Sequence, residues 1–314
     1  MPLYFPLVYS AIMSKTKQAM TRLGPWLLAV RPRTLPASAS GVVVGSAMAA
    51  YHGGFRLLPA LASLIVSLCL QIASNLANDV FDFERGADAK REHGPTRVTQ
   101  AGLLSPRAVK VGLIVAIAIA AAIGALLAID SGPVVLGIGA LAILASVAYS
   151  AGPFPLSYHG LGELFAFLFF GVAAVAGSYF VETGRASAGV FAVSVAPGCI
   201  IAAILVVNYL RDIEEDAEAG KRTLAVRFGT GFAKVEYLSC LGLAFLLIPI
   251  GALAGILPWW TLASWLSLPL ALGSARTMVR ETGRSLNRAL AGTGMLSLAF
   301  SLLFAAGILV AIAI

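Results

Sequence analysis

Charge is what this chain has least of. Only 12% of its 314 residues are Asp, Glu, Lys or Arg, while 59% are hydrophobic, and mean hydropathy is +0.89. A soluble domain carries about 25% charged residues. A water-facing globule is therefore excluded, because too little polar side chain exists to cover it. Cysteine is equally scarce: Cys69, Cys199 and Cys240 lie in or beside apolar runs. Their spacing suits neither a disulfide framework nor zinc, and they read as small buried hydrophobes. The short alternating segments of a membrane barrel are missing too. A net charge of +7 does not imply nucleic acid, since the basic residues sit in short segments between apolar runs.

What the chain has in abundance is long uncharged stretches. A bilayer span needs roughly 20 apolar residues. The pattern predicts an all-α polytopic membrane protein with nine transmembrane helices around a central cavity. Their ranges are about 35–52, 57–78, 110–129, 133–151, 162–181, 187–209, 235–254, 257–275 and 289–313. The uncharged run from Tyr237 to Ala275 is too long for one span, and Gly255 to Pro258 divides it. Pro197-Gly198 predicts a kink in the sixth span. Gly41 and Gly45 form a small-xxx-small face for close helix contact. Residues 1–30 read as an N-terminal cytoplasmic tail and 31–314 as one transmembrane domain. With the N-terminus in the cytoplasm of a bacterial-type inner or plasma membrane, all Lys and Arg but Arg56 and Arg185 fall on the cytoplasmic side. That bias follows the positive-inside rule.

The same topology places two acidic stretches together on the cytoplasmic side. One is Asn75-Leu-Ala-Asn-Asp79-Val-Phe-Asp82, with Asp88 beyond Gly86. The other is Asn208-Tyr-Leu-Arg-Asp212-Ile-Glu-Glu-Asp216. Residues four apart share a helix face, so Asn75 stacks with Asp79, and Asn208 with Asp212 and Asp216. Carboxylates where an apolar helix leaves the membrane are costly and usually functional. Hard oxygen ligands suit Mg²⁺, which is often shared with substrate phosphates. The expected metal ligands are Asp79, Asp82, Asp88, Asp212 and Asp216. Arg91, Arg97, Lys221 and Arg222 are placed to neutralise a diphosphate. Acids, a divalent ion and bases beside apolar helices describe metal-assisted departure of diphosphate from an allylic lipid. Phe81, Tyr149 and Tyr209 supply π faces for the resulting cation. The plainer readings are a solvated helix end for either acidic stretch, a snorkelling Arg211, and a dipole-favoured N-terminal charge for Glu163. The arginine ladder from Arg276 to Arg288 reads as topology signal.

Several motifs together resemble those of the intramembrane aromatic prenyltransferases, the superfamily of the 4-hydroxybenzoate polyprenyltransferases. They are Arg31-Pro-Arg-Thr-Leu-Pro36, the first acidic stretch with Gly86-x-Asp88, Tyr149 with Gly152-Pro153, Gly160-Leu-Gly-Glu163, and the second acidic stretch continued through Gly220-Lys-Arg-Thr-Leu-Ala-Val-Arg227. The resemblance implies a nine-helix bundle in which Asn75, Asp79, Asp82, Asp212 and Asp216 hold Mg²⁺ and prenyl diphosphate, accompanied by Asn208 and Lys221. Tyr149 then sits near the diphosphate and the reactive carbon. Where 4-hydroxybenzoate enzymes carry a basic residue after this tyrosine, Gly152-Pro-Phe-Pro155 stands instead. That points to the branch acting on 1,4-dihydroxy-2-naphthoate, in menaquinone or phylloquinone synthesis, with Arg33 and Glu163 as acceptor contacts. 4-Hydroxybenzoate or homogentisate as acceptor, and a cation-coupled transporter, are the rival expectations.

Overall fold

A computed structural model describes residues 23–87 and 93–314. Most of the N-terminal tail, and with it the expectation for residues 1–22, lies outside the described residues. So do Asp88, Lys90 and Arg91.

The described residues form helices and no strand. The first, α1 (Gly24–Val30), opens with a proline and stops at Arg31, whose φ of 54° is left-handed. Such a φ is uncommon for a residue with a Cβ. Here it reverses the chain through a short 3-10 turn (Pro32–Thr34) into α2 (Leu35–Tyr51). The Thr34 hydroxyl steadies the turn by donating to the Arg31 carbonyl at 3.0 Å. The next helices are α3 (Leu57–Glu84), α4 (Pro106–Ser131) and α5 (Val134–Ala148). Ser105 caps α4 by accepting from the Ala108 amide, with Pro106 at the first helical position. Helix α6 (Gly162–Thr183) contains a π-helical stretch, Phe167–Ala173. Then come α7 (Ala188–Arg211), the short acidic α8 (Ile213–Glu218), and α9 (Leu224–Leu253). A 3-10 segment (Trp259–Ser267) runs into α10 (Leu268–Arg280), and α11 (Asn287–Ala313) closes the chain.

Six of these, α3, α4, α6, α7, α9 and α11 with its 3-10 lead from Gly283, are long and apolar enough to cross a membrane. Helix α5 is apolar but shorter. The chain is an all-α polytopic membrane protein. Its outer surface carries large exposed apolar side chains such as Leu126, Ile129 and Leu144. That surface needs hydrocarbon around it.

Helix α7 is the most enclosed of the six and packs against α9 and α11. Around it lies one apolar core, including Ile200, Tyr237, Phe300 and Phe304. Gly41 and Gly45 place α2 directly on α6: a Cβ on Gly41 would come within 2.6 Å of the Phe170 carbonyl oxygen. Two expectations shift. Pro197 lies inside the continuous helix α7, while a non-helical residue not foreseen, Gly229, breaks α9 near its start. The seventh apolar run follows that break, and a short helical segment that Thr223 caps at Leu224 precedes it. The eighth run is half 3-10 and half α-helix, with Trp259, Trp260 and Trp265 exposed along it.

Candidate active site

A cavity of about 950 Å³ runs between α2, α3, α4, α5, α6 and α7 and reaches the start of α11. Most of its wall is apolar: Leu70, Ala120, Val135, Ile138, Ala142 and Val181 belong to it. Polar side chains gather at one end, where both acidic stretches meet. Asn75, Asn78 and Arg97 line it on one side, and Asn208, Asp212, Asp216 and Lys221 on the other. The expected convergence of the two stretches is therefore what the structure places there, but the two contribute differently.

The second stretch presents carboxylates. Asp212 and Asp216 are buried yet line the cavity. Arg211 grips Asp212 through two bonds, Nε to Oδ1 at 2.6 Å and Nη2 to Oδ2 at 2.7 Å. The same guanidinium donates to Asn208 Oδ1 at 2.7 Å and to Asn287 Oδ1 at 2.9 Å. Arg211 is only 2% exposed, so it does not snorkel. It is a buried clamp that fixes Asn208 and Asp212 together, and such forked pairs hold geometry well. Asn287 also donates to the His93 carbonyl at 3.0 Å, and the His93 amide donates to Glu215 at 3.0 Å. The segment Gly94–Arg97, which lines the cavity, is thereby tied to both α8 and α11.

The first stretch presents amides and cations. Asp79 does not reach the cavity. Its two oxygens accept the Val98 and Thr99 amides, each at 3.0 Å, and it is 1% exposed. Asn75 lines the cavity but is spent on structure, donating to the Val30 carbonyl at 2.8 Å and to Thr34 at 2.9 Å. Asp82 is fully buried behind the wall. Lys221 Nζ lies 3.1 Å from its Oδ2 and Arg97 Nη2 lies 3.4 Å from it. Tyr158 donates to Oδ1 at 3.1 Å, and Asn78 to Oδ2 at 3.3 Å. Lys221 also stands 3.5 Å from Asp216, bridging the two stretches. Burying a charge is tolerated when it is paired and hydrogen-bonded. Asp82 meets that condition while drawing two cations to the cavity wall.

Asn78, Tyr158, His93 and Asn287 were missed in the sequence. Asn78 carried a signal, standing four residues before Asp82. The other three come from distant segments and carried none. Tyr149 lines the cavity, its hydroxyl 2.7 Å from that of Tyr209. Arg33 is exposed on the rim. Glu163 is buried outside the cavity lining, with Oε2 lacking a hydrogen-bond partner. Arg222 is exposed and is not brought to the cavity, because its backbone turns away to bond the Tyr158 carbonyl.

Among the described residues no group of three His, Cys, Asp or Glu side chains is arranged as a metal cage. The donors at the polar end, Asp212, Asp216 and the amide oxygens of Asn78 and Asn208, are all hard oxygens. That set fits an ion such as Mg²⁺, which takes one or two carboxylates and completes its shell from phosphate and water.

Comparison with known proteins agrees. The 1,4-dihydroxy-2-naphthoate octaprenyltransferase of Haemophilus influenzae is 32% identical over 95% of this chain and 100% of its own length. The enzyme of that name from Escherichia coli is 36% identical, over 85% of this chain and 88% of its own. A UbiA homolog from Archaeoglobus fulgidus, solved bound to DMAPP and Mg²⁺, shares the fold, with a TM-score of 0.62 at 18% identity over 91% of this chain and 99% of its own. Residues 38–291 match the model of the UbiA prenyltransferase family, and the chain belongs to that family.

Proposed function

We propose that the chain transfers a prenyl group from its diphosphate to 1,4-dihydroxy-2-naphthoate, releasing carbon dioxide and diphosphate, in menaquinone-type quinone synthesis. The observation that carries the reading is the two-sided polar end of the cavity. Carboxylates (Asp212, Asp216) and cations (Arg97, Lys221) line that end together, with Lys221 between Asp216 and Asp82 and a long apolar continuation beyond. A diphosphate needs the first part and a prenyl tail the second. The curated relatives named above act, by their names, on 1,4-dihydroxy-2-naphthoate.

Asp212 and Asp216, with the Asn78 and Asn208 oxygens beside them, are the residues that would hold Mg²⁺. When bound, the ion withdraws charge from the departing diphosphate. Arg97 and Lys221 take the rest of that charge. Asp82 keeps both cations in place, and Arg211 keeps Asp212 aimed. The allylic C–O bond breaks with its electron pair leaving on the diphosphate. The Tyr149–Tyr209 pair lies on the cavity wall where its π faces stabilise the cation. The apolar wall excludes water, so the cation meets the ring carbon that bears the carboxylate. The new C–C bond forms, the carboxylate departs as carbon dioxide, and its bonding pair returns to the ring.

Nine crossings, a single domain over 31–314 and a cytoplasmic N-terminus belong to the same proposal, in an inner or plasma membrane. Helices α2 and α5, and the 3-10 segment with α10, supply the three crossings beyond the six long ones. Exposed Trp259 and Trp260 suit the outer interface, and both acidic stretches then face the cytoplasm. The test is a membrane assay with prenyl diphosphate, offering dihydroxynaphthoate or 4-hydroxybenzoate, with Mg²⁺ or with EDTA. Transfer to dihydroxynaphthoate only with Mg²⁺ is expected. Transfer to 4-hydroxybenzoate alone would overturn the acceptor, and full activity in EDTA the metal.

A further inference from the structure

Outside the cavity, at the same end of the bundle, three arginines meet in a second concavity of about 360 Å³. Arg85, Arg222 and Arg227 line it with Tyr158 and His159, and no Asp or Glu is among its lining residues. Among the described residues none of the three arginines has a carboxylate within ion-pair distance. Their placement is built rather than incidental. The Arg85 guanidinium donates to the Ser150 carbonyl and, at 2.6 Å, to that of Gly152. It lies 5.4 Å from the Tyr158 ring centroid. Arg227 donates to the His159 carbonyl at 2.9 Å. The Arg222 amide donates to the Tyr158 carbonyl at 2.8 Å, which leaves its side chain exposed at the pocket. Gly160 allows this approach: at φ +73° a Cβ there would stand 2.9 Å from the Arg222 carbonyl oxygen.

Tyr158 is the partition between this pocket and the cavity. Its hydroxyl donates to Asp82 at 3.1 Å, and its ring centroid is 5.0 Å from Lys221 Nζ on the cavity side. Arg97 and Lys221, which Asp82 and Asp216 pair, thus lie on one side of the tyrosine, and Arg85, Arg222 and Arg227, which no carboxylate pairs among the described residues, line the pocket on the other. Arginines kept only for membrane orientation need neither a concave site nor carbonyl struts. Three guanidinium charges held around one concavity without an acid are the setting in which phosphate is recognised.

We propose that this pocket is a second anion site that holds a phosphate-bearing group at the cytoplasmic surface, either the diphosphate released from the cavity or the headgroup phosphate of an anionic lipid. The first source rests on the prenyl-transfer reading; the second does not.

The test uses the full chain in nanodiscs and needs no turnover. In phosphatidylcholine discs with EDTA, inorganic diphosphate is titrated by calorimetry against the wild type, Arg222→Glu and, as a cavity control, Lys221→Gln. If the source is released diphosphate, R222E weakens binding by about tenfold or more, one guanidinium contact having become a repulsion, while K221Q retains the R222-dependent component. If the source is lipid, R222E leaves that titration unchanged but removes the thermal stabilisation that the wild type gains when phosphatidylglycerol replaces part of the phosphatidylcholine. An R222E protein that matches the wild type in both arms overturns the proposal. Because the Arg222 side chain makes no protein hydrogen bond among the described residues, R222E is expected to fold, and its unfolding temperature in phosphatidylcholine checks that. A chain that failed to prenylate dihydroxynaphthoate would still report binding here, so the two readings fail separately.

Discussion

The two acidic stretches look like copies of one another, and the fold uses them in opposite ways. In the second, α7 hands over to α8 at Asp212, and the carboxylates of Asp212 and Asp216 face the cavity. In the first, α3 runs unbroken to Glu84, and both carboxylates turn into protein. Asp79 takes two loop amides, and Asp82 takes two cations, a phenol and an amide. One stretch supplies negative charge to the site directly. The other supplies positive charge at one remove, by gathering Arg97 and Lys221. A repeated Asn-x-x-x-Asp pattern thus marks two places where a helix meets the site, without saying which atoms it offers there.

Breaking the second stretch should have the largest effect. Asp216→Asn removes a cavity carboxylate from the end where charge develops, and prenyl transfer in membranes is expected to fall by about 10²-fold or more, with little change in unfolding temperature. Wild-type turnover in D216N would remove the division of labour between the stretches. Asp82→Asn comes next. It removes the carboxylate that buried Arg97 and Lys221 share, leaving Lys221 its longer contact to Asp216; breaking a buried pair costs about 3–5 kcal/mol. Both a lowered unfolding temperature and a raised KM for prenyl diphosphate are expected, and a loss of activity with neither change would assign Asp82 to the chemistry itself. Asp79→Ala should act on folding alone. Leaving two buried amides unpaired costs about 1–3 kcal/mol for each, visible in thermal melts, while Mg²⁺ dependence stays as in the wild type. A shifted Mg²⁺ requirement in D79A would return this residue to the metal site. Asn75→Ala, which loses its bonds to Val30 and Thr34, should be the mildest, with about 1 kcal/mol of stability lost and a KM close to normal.

The sequence told most where solvent decides. Charge-free runs mark α3, α4, α6, α7, α9 and α11 because hydrocarbon tolerates little else, and the clustering of Lys and Arg brings both acidic stretches to one end. It told least where a face of a helix must be chosen to within one residue. Asn75 with Asp79 and Asn78 with Asp82 fit the same spacing, and only packing against the Val98–Thr99 loop decides that Asp79 turns inward to amides. Arg211 reads as a boundary residue until Asn287, far along the chain, arrives to receive its fourth bond. Tyr158 reads as a loop residue until Gly160 and Gly220, both at positive φ, fold two loops together around it. Contacts of this kind are made across long sequence separations and leave no periodic trace.

The Arg211–Asn287 bond also has a consequence for biosynthesis. Membrane helices enter the bilayer one after another as the ribosome delivers them, and Asn287 opens α11. Until it emerges, one arm of the Arg211 clamp and the His93 carbonyl both lack their partner, and the polar end of the cavity is incomplete. The polar end is therefore completed only once α11 has joined the bundle, well after both acidic stretches have been made.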